Sequence, residues 1–192
     1  MNIINTGIEE LSKNNQLQKK IKGNIALLCH SASINQCYQH SVNIVKSIFP
    51  KQLIKIFGPQ HGFVTDVQDN MIETDDFIHP YFKIPVYSLY GKTRTPTEKM
   101  LEEIDTFIID LQDVGTRVYT YIHTMSHVLE TCQKQDIKVV ILDRPNPIGG
   151  NIIEGNMLDH NFKSFVGLHP IPMRHGLTIG EMALLINKYF LK

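Results

Sequence analysis

Two glutamates in long polar segments are the side chains whose type could cleave a glycosidic bond. Such cleavage needs two carboxyl groups, one to protonate the leaving oxygen and one to act as nucleophile or to activate water. Glu73 lies in the segment 60–85, and Glu154 lies in the segment 146–177. Because residue type alone does not distinguish such a pair from surface carboxylates, the elements that position them decide the interpretation.

Short apolar runs rich in Ile, Val and Leu alternate along the chain with longer, helix-like segments. Near-continuously apolar strands separated by helices predict an α/β fold, a Rossmann-like and mostly parallel sheet with helices on both faces. The predicted strands are residues 24–30, 53–59, 86–91, 106–112 and 138–145, and the predicted helices are residues 36–49, 95–104, 118–135 and 178–191.

Local signals support these helices. A capping-box pattern, in which Glu follows Thr by three residues, predicts helix starts at Thr6, Thr95 and Thr178, with Glu181 acting as a capping partner. A 4-3-4-3 spacing of apolar residues predicts the core-facing stripe of the third helix. That stripe consists of Val118, Ile122, Met125, Leu129 and Cys132.

Polar clusters follow the predicted strand ends, which meet at one ligand-binding crevice in open parallel sheets. Turn chemistry explains the Gly, Pro and Asp of these clusters but does not require their His and Arg residues. We therefore predict a binding site at this edge. The clusters are His30-Ser31, residues 58–62 with His61, residues 90–94 with Arg94, residues 112–117 with Asp113 and Arg117, and residues 143–147 with Asp143, Arg144 and Asn146.

Several chemistries lack their motifs. The glycine-rich fingerprints of dinucleotide-binding and P-loop proteins are absent, as is the G-x-S-x-G turn, so we expect no nucleotide cofactor. His123 and His127 lack the Glu of H-E-x-x-H and are expected to be solvated. Asp113 and Asp143 are expected to orient arginine or loop backbone. A metal-dependent hydrolase remains an alternative, with a looser ligand set of His30, His61, Asp113, Asp143 and His175.

The bulk composition favours one domain over residues 1–192. Because 19 basic and 19 acidic residues balance, nothing calls for nucleic acid or an anionic membrane as partner. Three cysteines without a framework and no apolar leader predict a cytoplasmic protein.

Several long motifs resemble the NamZ-type exo-β-N-acetylmuramidases, a bacterial family long described as a domain of unknown function. The resemblance covers nearly the whole chain from Gly7 onward. The matching stretches are FGPQHGF (57–63), PVYSLYGKTRTPTEKML (85–101), IDLQDVGTRVYTYIHTM (109–125), LDRPNPIGG (142–150), IEGNMLD (153–159) and SFVGLHPIPMRHGLTIGEMA (164–183).

This resemblance implies a Rossmann-like catalytic domain, a smaller C-terminal domain and a cleft between them. It implies metal-free release of terminal β-1,4-linked N-acetylmuramic acid from the non-reducing end of peptidoglycan fragments, with no cofactor. The family's two carboxylates fall on Glu73 and Glu154, whose individual roles stay unassigned. Its substrate-binding positions fall on Gln60, His61, Asp113, Arg117, Asn146, Arg174 and His175.

Two departures from the family leave an alternative open. The family often has Glu at the position of Gln60. An amide cannot transfer a proton at neutral pH, so an essential acid at this position would be lost. A related subgroup shares both the Gln and the Asn-Met-Ile-Glu stretch, which suggests a variant specificity. The chain also stops at Lys192, where the family continues into its second domain. The alternative is a remnant or split-gene product that binds sugar without turnover, with a separate C-terminal half as partner.

Overall fold

The central sheet follows from the apolar runs. The computed structural model describes residues 4–66 and 72–191, and within them six strands form one sheet: β1 (Ile25–Cys29), β2 (Leu53–Gly58), β3 (Phe77–Ile78), β4 (Pro85–Ser88), β5 (Thr106–Asp110) and β6 (Lys138–Ile141). Their order is β3-β4-β2-β1-β5-β6, and all neighbours are parallel except β3, which runs antiparallel to β4 at one edge. The predicted α/β fold is confirmed.

Helices cover both faces of this sheet. They are α1 (Gly7–Lys13), α2 (Asn15–Gln18), α3 (Ser41–Ile48), α4 (Glu98–Leu101), α5 (Tyr121–Lys134) and α6 (Ile179–Tyr189). The buried residues of α1 and α3 pack on one face, and those of α4, α5 and α6 pack on the other. Because every residue of β1 and β5 is buried, the core lies at the centre of the sheet.

The helices predicted at residues 36–49 and 95–104 begin later than expected. The helix predicted from residue 36 begins only at Ser41, because the Asn35 side chain accepts the backbone N–H groups of Cys37 and Gln39, both at 2.9 Å, and so forms a turn. The capping box predicted at Thr95 is wrong. The cap of α4 is instead Thr97, two residues later. The backbone of Thr95 is already bonded to the Thr93 side chain, because the Thr93 hydroxyl donates to the Thr95 carbonyl and accepts the Thr95 N–H.

Other local predictions are confirmed. The capping boxes at Thr6 and Thr178 form, and Glu181 is the capping partner in the second. The stripe of α5 is buried at Ile122, Met125 and Cys132, with Leu129 partly buried against the same core. The prediction is wrong for the first member, Val118, which lies before the helix and is half exposed.

The two long segments contain structure of their own. The first contains β3, and the second contains a hairpin of β7 (Glu154–Met157) and β8 (Pro172–Arg174) with a 3₁₀ turn at His160–Phe162. Asn70 and Met71 of the Asn-Met-Ile-Glu stretch lie outside the described residues. Among the helices described, none has the length and apolarity needed to cross a membrane.

Candidate active site

The carboxyl ends of the parallel strands lie along one edge of the sheet. From β1 the chain adds β2 and β4 on one side, then crosses to add β5 and β6 on the other. The boundary between β1 and β5 is therefore the topological switch point, where ligands of open α/β sheets usually bind.

A buried ion pair fills the interior side of this switch point. The Arg144 guanidinium donates to the Asp110 carboxylate through Nε at 2.6 Å and Nη2 at 2.9 Å, and the Ser41 hydroxyl donates to the same carboxylate. Both charged side chains are buried, and a third Arg144 nitrogen donates to the Ile34 carbonyl. Arg144 therefore ties loops together beneath the crevice, and Asp143 accepts its backbone N–H at 3.0 Å and not its guanidinium.

His30 is also part of the buried structure. Its ring accepts the backbone N–H of Gln112 at 3.2 Å and lies 3.2 Å from the Tyr121 hydroxyl. Burial, followed by the nearby charge of Arg144, lowers the pKa of His30 to about 3. The ring is therefore neutral near pH 7 and holds the ends of β1 and β5 together.

Glu73 stands exposed beside the carboxyl end of β4. Its carboxylate lies 3.5 Å from the Arg94 guanidinium, which in turn lies over the Tyr90 ring at 3.8 Å from its centroid. Two grooves of about 400 and 390 Å³ share Glu73 and the neighbouring Thr74 and Ser88 in their linings. The Thr74 and Ser88 hydroxyls are 2.6 Å apart, so the loop carrying Glu73 is fastened to the end of β4.

Glu154 stands exposed on the second long segment. It opens β7 directly opposite Arg174 of β8, and its Oε2 accepts a hydrogen bond from Arg174 Nη1 at 2.7 Å. A second Arg174 nitrogen donates to the Ile148 carbonyl. The hairpin therefore places Glu154 and Arg174 side by side, and each candidate carboxylate has its own arginine.

The second segment reaches the surroundings of Glu73 through an aromatic side chain. The Phe165 ring lies 5.7 Å from the Tyr90 ring and 5.7 Å from the Arg94 guanidinium, measured between centroids and to Cζ. Phe165 therefore brings the second long segment next to Arg94, the arginine that lies beside Glu73.

The turn after β2 carries Gln60 and His61. Gln60 is buried, and its amide oxygen accepts the Thr120 hydroxyl at 2.6 Å, immediately before α5. His61 is half-buried with a φ of 68°, so the chain turns sharply there and at Gly62, whose φ is 76°. The Gln60 side chain thus connects the turn after β2 to the start of α5.

Asp113 and His175 meet as a buried pair. Their Oδ2 and Nε2 atoms are 3.4 Å apart, while the Gly115 N–H donates to the same carboxylate oxygen at 2.8 Å. His175 Nδ1 accepts the Leu177 N–H, which leaves the proton of a neutral ring on Nε2, facing Asp113. Asp113 therefore orients loop backbone as predicted, and Asp143 does so too, since it accepts the Gly180 N–H at 2.7 Å.

The remaining predicted binding residues are engaged with backbone. Arg117 is buried and donates through Nη1 to the carbonyls of Asn156 and Ile171, at 2.8 and 2.6 Å. Asn146 donates to the Leu177 carbonyl at 2.9 Å. These contacts fix the base of the β7–β8 hairpin, and the role of Arg117, Asn146, Arg174 and His175 towards a substrate stays a prediction.

One prediction at this site is wrong. His123 is not solvated: it is fully buried and bonded to the Arg117 carbonyl at 2.9 Å. Burial lowers its pKa to about 4.

The sequence did not predict that Asp110 pairs with Arg144, although a single acidic residue at the end of the apolar run Thr106–Asp110 was a usable signal. Nothing in the sequence around Phe165 indicated its contact with Tyr90 and Arg94.

The metal alternative gains no support from the geometry. No group of three or more His, Cys, Asp or Glu side chains within residues 4–66 and 72–191 is arranged to hold a metal ion. His30 is committed to Gln112 and Tyr121, and Asp143 to the start of α6.

The fold and the site together define a Rossmann-like α/β domain with paired glutamate–arginine contacts on long loops at the carboxyl edge of its sheet. The sequence signature of the family described as "Exo-beta-N-acetylmuramidase NamZ, N-terminal" matches residues 25–191, and the chain belongs to this family.

Known relatives agree with this assignment. The peptidoglycan beta-N-acetylmuramidase NamZ of Bacillus subtilis (strain 168) is 45% identical over 188 residues, which cover 97% of this chain and 45% of the relative. Two crystal structures of DUF1343 family proteins from Bacteroides fragilis NCTC 9343 superpose with TM-scores of 0.85 and 0.80, at 36% and 32% identity. They cover 98% and 97% of this chain, which spans 47% of each. The chain thus spans less than half the length of these relatives.

Proposed function

We propose that this chain is the catalytic part of a glycoside hydrolase that releases terminal β-1,4-linked N-acetylmuramic acid from peptidoglycan fragments. The observation that carries the proposal is the placement of Glu73 and Glu154, each exposed and each beside an arginine, on two long segments at the carboxyl edge. The Bacillus relative, named as a peptidoglycan beta-N-acetylmuramidase, supports the substrate class.

The chemistry requires that the two carboxyl groups differ in protonation. One, as the acid, donates its proton to the glycosidic oxygen as the bond to the anomeric carbon breaks, and the other attacks that carbon or takes a proton from the attacking water. Arg94 and Arg174 are close enough to stabilise an ionised partner during this exchange. The half-buried Phe165 adds apolar ring surface against which a sugar face can pack.

The test is hydrolysis of a chromogenic N-acetylmuramic acid β-glycoside by the chain and its variants. We expect Glu73→Gln and Glu154→Gln each to lower kcat/KM by about 10²–10⁴-fold, because a positioned acid or base contributes that much. Glu130→Gln is the matched control, since Glu130 is an exposed glutamate paired with Lys134 on α5, and it should leave the rate unchanged.

Two outcomes would change the proposal. Turnover that survives both glutamate substitutions would remove these residues from the catalytic role. Saccharide binding without turnover by the unaltered chain would favour a sugar-binding protein, the alternative that the Gln60 departure supports. Full activity after exhaustive chelation would eliminate the metal-dependent alternative.

A further inference from the structure

A tight turn in the second long segment carries the Phe165 ring. The Ser164 N–H donates to the Gly167 carbonyl at 3.0 Å, and the Gly167 N–H donates back to the Ser164 carbonyl at 3.1 Å. Reciprocal bonds of this kind close a two-residue hairpin loop, which here consists of Phe165 and Val166. Gly167 is buried, and a Cβ added there would lie 3.2 Å from the Leu158 side chain. The turn is therefore packed closely against the residues that follow β7.

The two loop residues of this turn differ in their surroundings. The half-buried Phe165 ring lies 5.7 Å from the Tyr90 ring and 5.7 Å from the Arg94 guanidinium, while Val166 is 49% exposed. Arg94 is the cation that lies 3.5 Å from Glu73. Binding sites for small molecules combine apolar and aromatic walls with a few polar groups of this kind. The turn therefore adds an aromatic wall to the candidate site around Glu73.

A buried hydrogen bond anchors the same turn to α5. His169 follows Gly167 by two residues, and its Nε2 atom lies 2.7 Å from the Ser126 hydroxyl of α5. Both residues are buried, and the imidazole also stacks on the Phe190 ring, with the centroids 4.6 Å apart. Burial lowers the pKa of His169 to about 4, so the ring is neutral near pH 7 and forms this bond without a charge.

The burial of this pair decides between two roles. A serine beside a histidine can be an activated nucleophile, since the imidazole can take the hydroxyl proton. Ser126 is only 2% exposed and lies within α5, so its hydroxyl does not meet a substrate. The pair therefore acts as an anchor, and the nearest feature that it can position is the turn carrying Phe165, four residues before His169.

We propose that His169 is a positioning residue: through Ser126 it holds the 164–167 turn against α5 and so keeps the Phe165 ring beside Arg94, as the apolar wall of the sugar site at Glu73. The anchoring is independent of the reaction, whereas the sugar contact rests on the hydrolase function proposed above. Loss of His169 then weakens sugar binding and spares bond cleavage, because an aromatic wall packs equally on the ground state and the transition state.

The sequence contains no tryptophan, which permits a direct test of the anchoring. Phe165→Trp supplies a single fluorophore, and its quenching by acrylamide reports the exposure of the ring. In that background we expect His169→Ala to shift the emission to longer wavelength and to raise the quenching constant about 2-fold or more, because the turn opens locally. His160→Ala is the matched control, since His160 is an exposed histidine on the same segment, and it should change neither quantity.

Two further variants separate the hydrogen bond from the bulk of the imidazole. Ser126→Ala removes the same bond but leaves the imidazole in place, so it should raise the quenching constant in the same direction as His169→Ala. His169→Gln should restore the value of the parent, because the amide can still bond to the Ser126 hydroxyl. Circular dichroism checks that each variant is folded.

Kinetics test the sugar contact. For the chromogenic N-acetylmuramic acid β-glycoside we expect His169→Ala and Phe165→Leu each to raise KM by about 10-fold and to leave kcat within about 2-fold. The double variant should be no worse than Phe165→Leu alone, because His169 acts through Phe165. In the Phe165→Trp protein, a saturating methyl β-glycoside of N-acetylmuramic acid should lower the quenching constant.

The outcomes separate the two parts of the proposal. Equal quenching with and without His169→Ala in folded proteins would overturn the anchoring, and additive losses in the double variant would show that His169 does not act through Phe165. Normal hydrolysis combined with quenching that the methyl glycoside leaves unchanged would remove Phe165 from the sugar site. A protein that anchors the turn but neither binds nor hydrolyses the glycosides would refute the proposed function and support the anchoring.

Discussion

At the scale of single residues, carboxylate–arginine pairs have two different roles in this protein. Asp110 and Arg144 are buried and hydrogen-bonded through two nitrogens, so removing either partner would leave an uncompensated charge in the interior. Glu73 is exposed and lies 3.5 Å from the half-buried Arg94, where water still screens the attraction. The first pair therefore holds the fold, and the second is free to act on a ligand.

Changing Arg94 should affect activity more than stability. We expect Arg94→Met to lower kcat/KM for the muramic acid glycoside by about 10-fold or more, because one charge-assisted contact is worth roughly 1.5–3 kcal/mol. The free energy of unfolding should fall by about 1 kcal/mol, because the half-buried Arg94 also donates to the Gly91 carbonyl at 2.7 Å. Lys134→Met is the control, since it removes the exposed ion pair with Glu130 far from the crevice. An unchanged rate for Arg94→Met would show that this guanidinium does not assist Glu73.

At the scale of elements, the second long segment is a built structure and not a flexible loop. The hairpin β7–β8 is fixed at its base by Arg117, which reaches carbonyls 39 and 54 residues away. A backbone bond from the Arg117 N–H to the Met173 carbonyl, at 2.7 Å, reinforces the attachment. Arg117 thereby positions Glu154, which sits on that hairpin.

Removing the Arg117 guanidinium should loosen this hairpin. We expect Arg117→Met to speed amide exchange in residues 154–174 by at least 10-fold and to lower the free energy of unfolding by about 2 kcal/mol, because the buried Ile171 carbonyl and the partly buried Asn156 carbonyl lose a charged donor. Lys188→Met, which replaces an exposed cation on α6, should change neither quantity. Unaltered exchange in 154–174 would mean that the hairpin holds without Arg117.

At the scale of the whole molecule, buried histidines link stability to pH. Burial lowers the pKa of His30 to about 3 and the pKa values of His123 and His169 to about 4. Their ordinary pKa near 6.5 applies in the unfolded chain, so the unfolded state binds more protons as pH falls. The stability they contribute is complete above about pH 6.5 and is lost as pH falls from there towards 4.

Denaturant titration at pH 7.5 and pH 5.0 checks this dependence. We expect the free energy of unfolding to fall by about 2 kcal/mol for each fully buried histidine, since one pKa unit corresponds to 1.36 kcal/mol. His123→Gln should reduce the pH dependence, and His160→Gln should not, because His160 is exposed. Equal stability at both pH values would contradict the burial of neutral histidines.

Much of the fold was predictable because its signals are local. The predicted strand beginning at residue 106 and the predicted helix ending at residue 191 each lie within a few residues of β5 and α6. The failures were also local conflicts, as at residues 36–40, where the Asn35 side chain competes with a helix. The hairpin of β7 and β8 carries exposed and half-buried residues, so no apolar alternation marks it in the sequence.

The sequence by itself determined the α/β class, the order of the strands along the chain, the family and two candidate carboxylates, because apolar patterning and long motifs are properties of contiguous residues. Only the tertiary structure decided which polar groups are buried. Asp110 meets Arg144 across 34 residues, and Phe165 reaches Arg94 from the other long segment. The physical reason is that burial depends on contacts between residues distant in sequence, which local patterns do not encode. Burial also distinguishes the arginines that hold the fold from those that face the crevice.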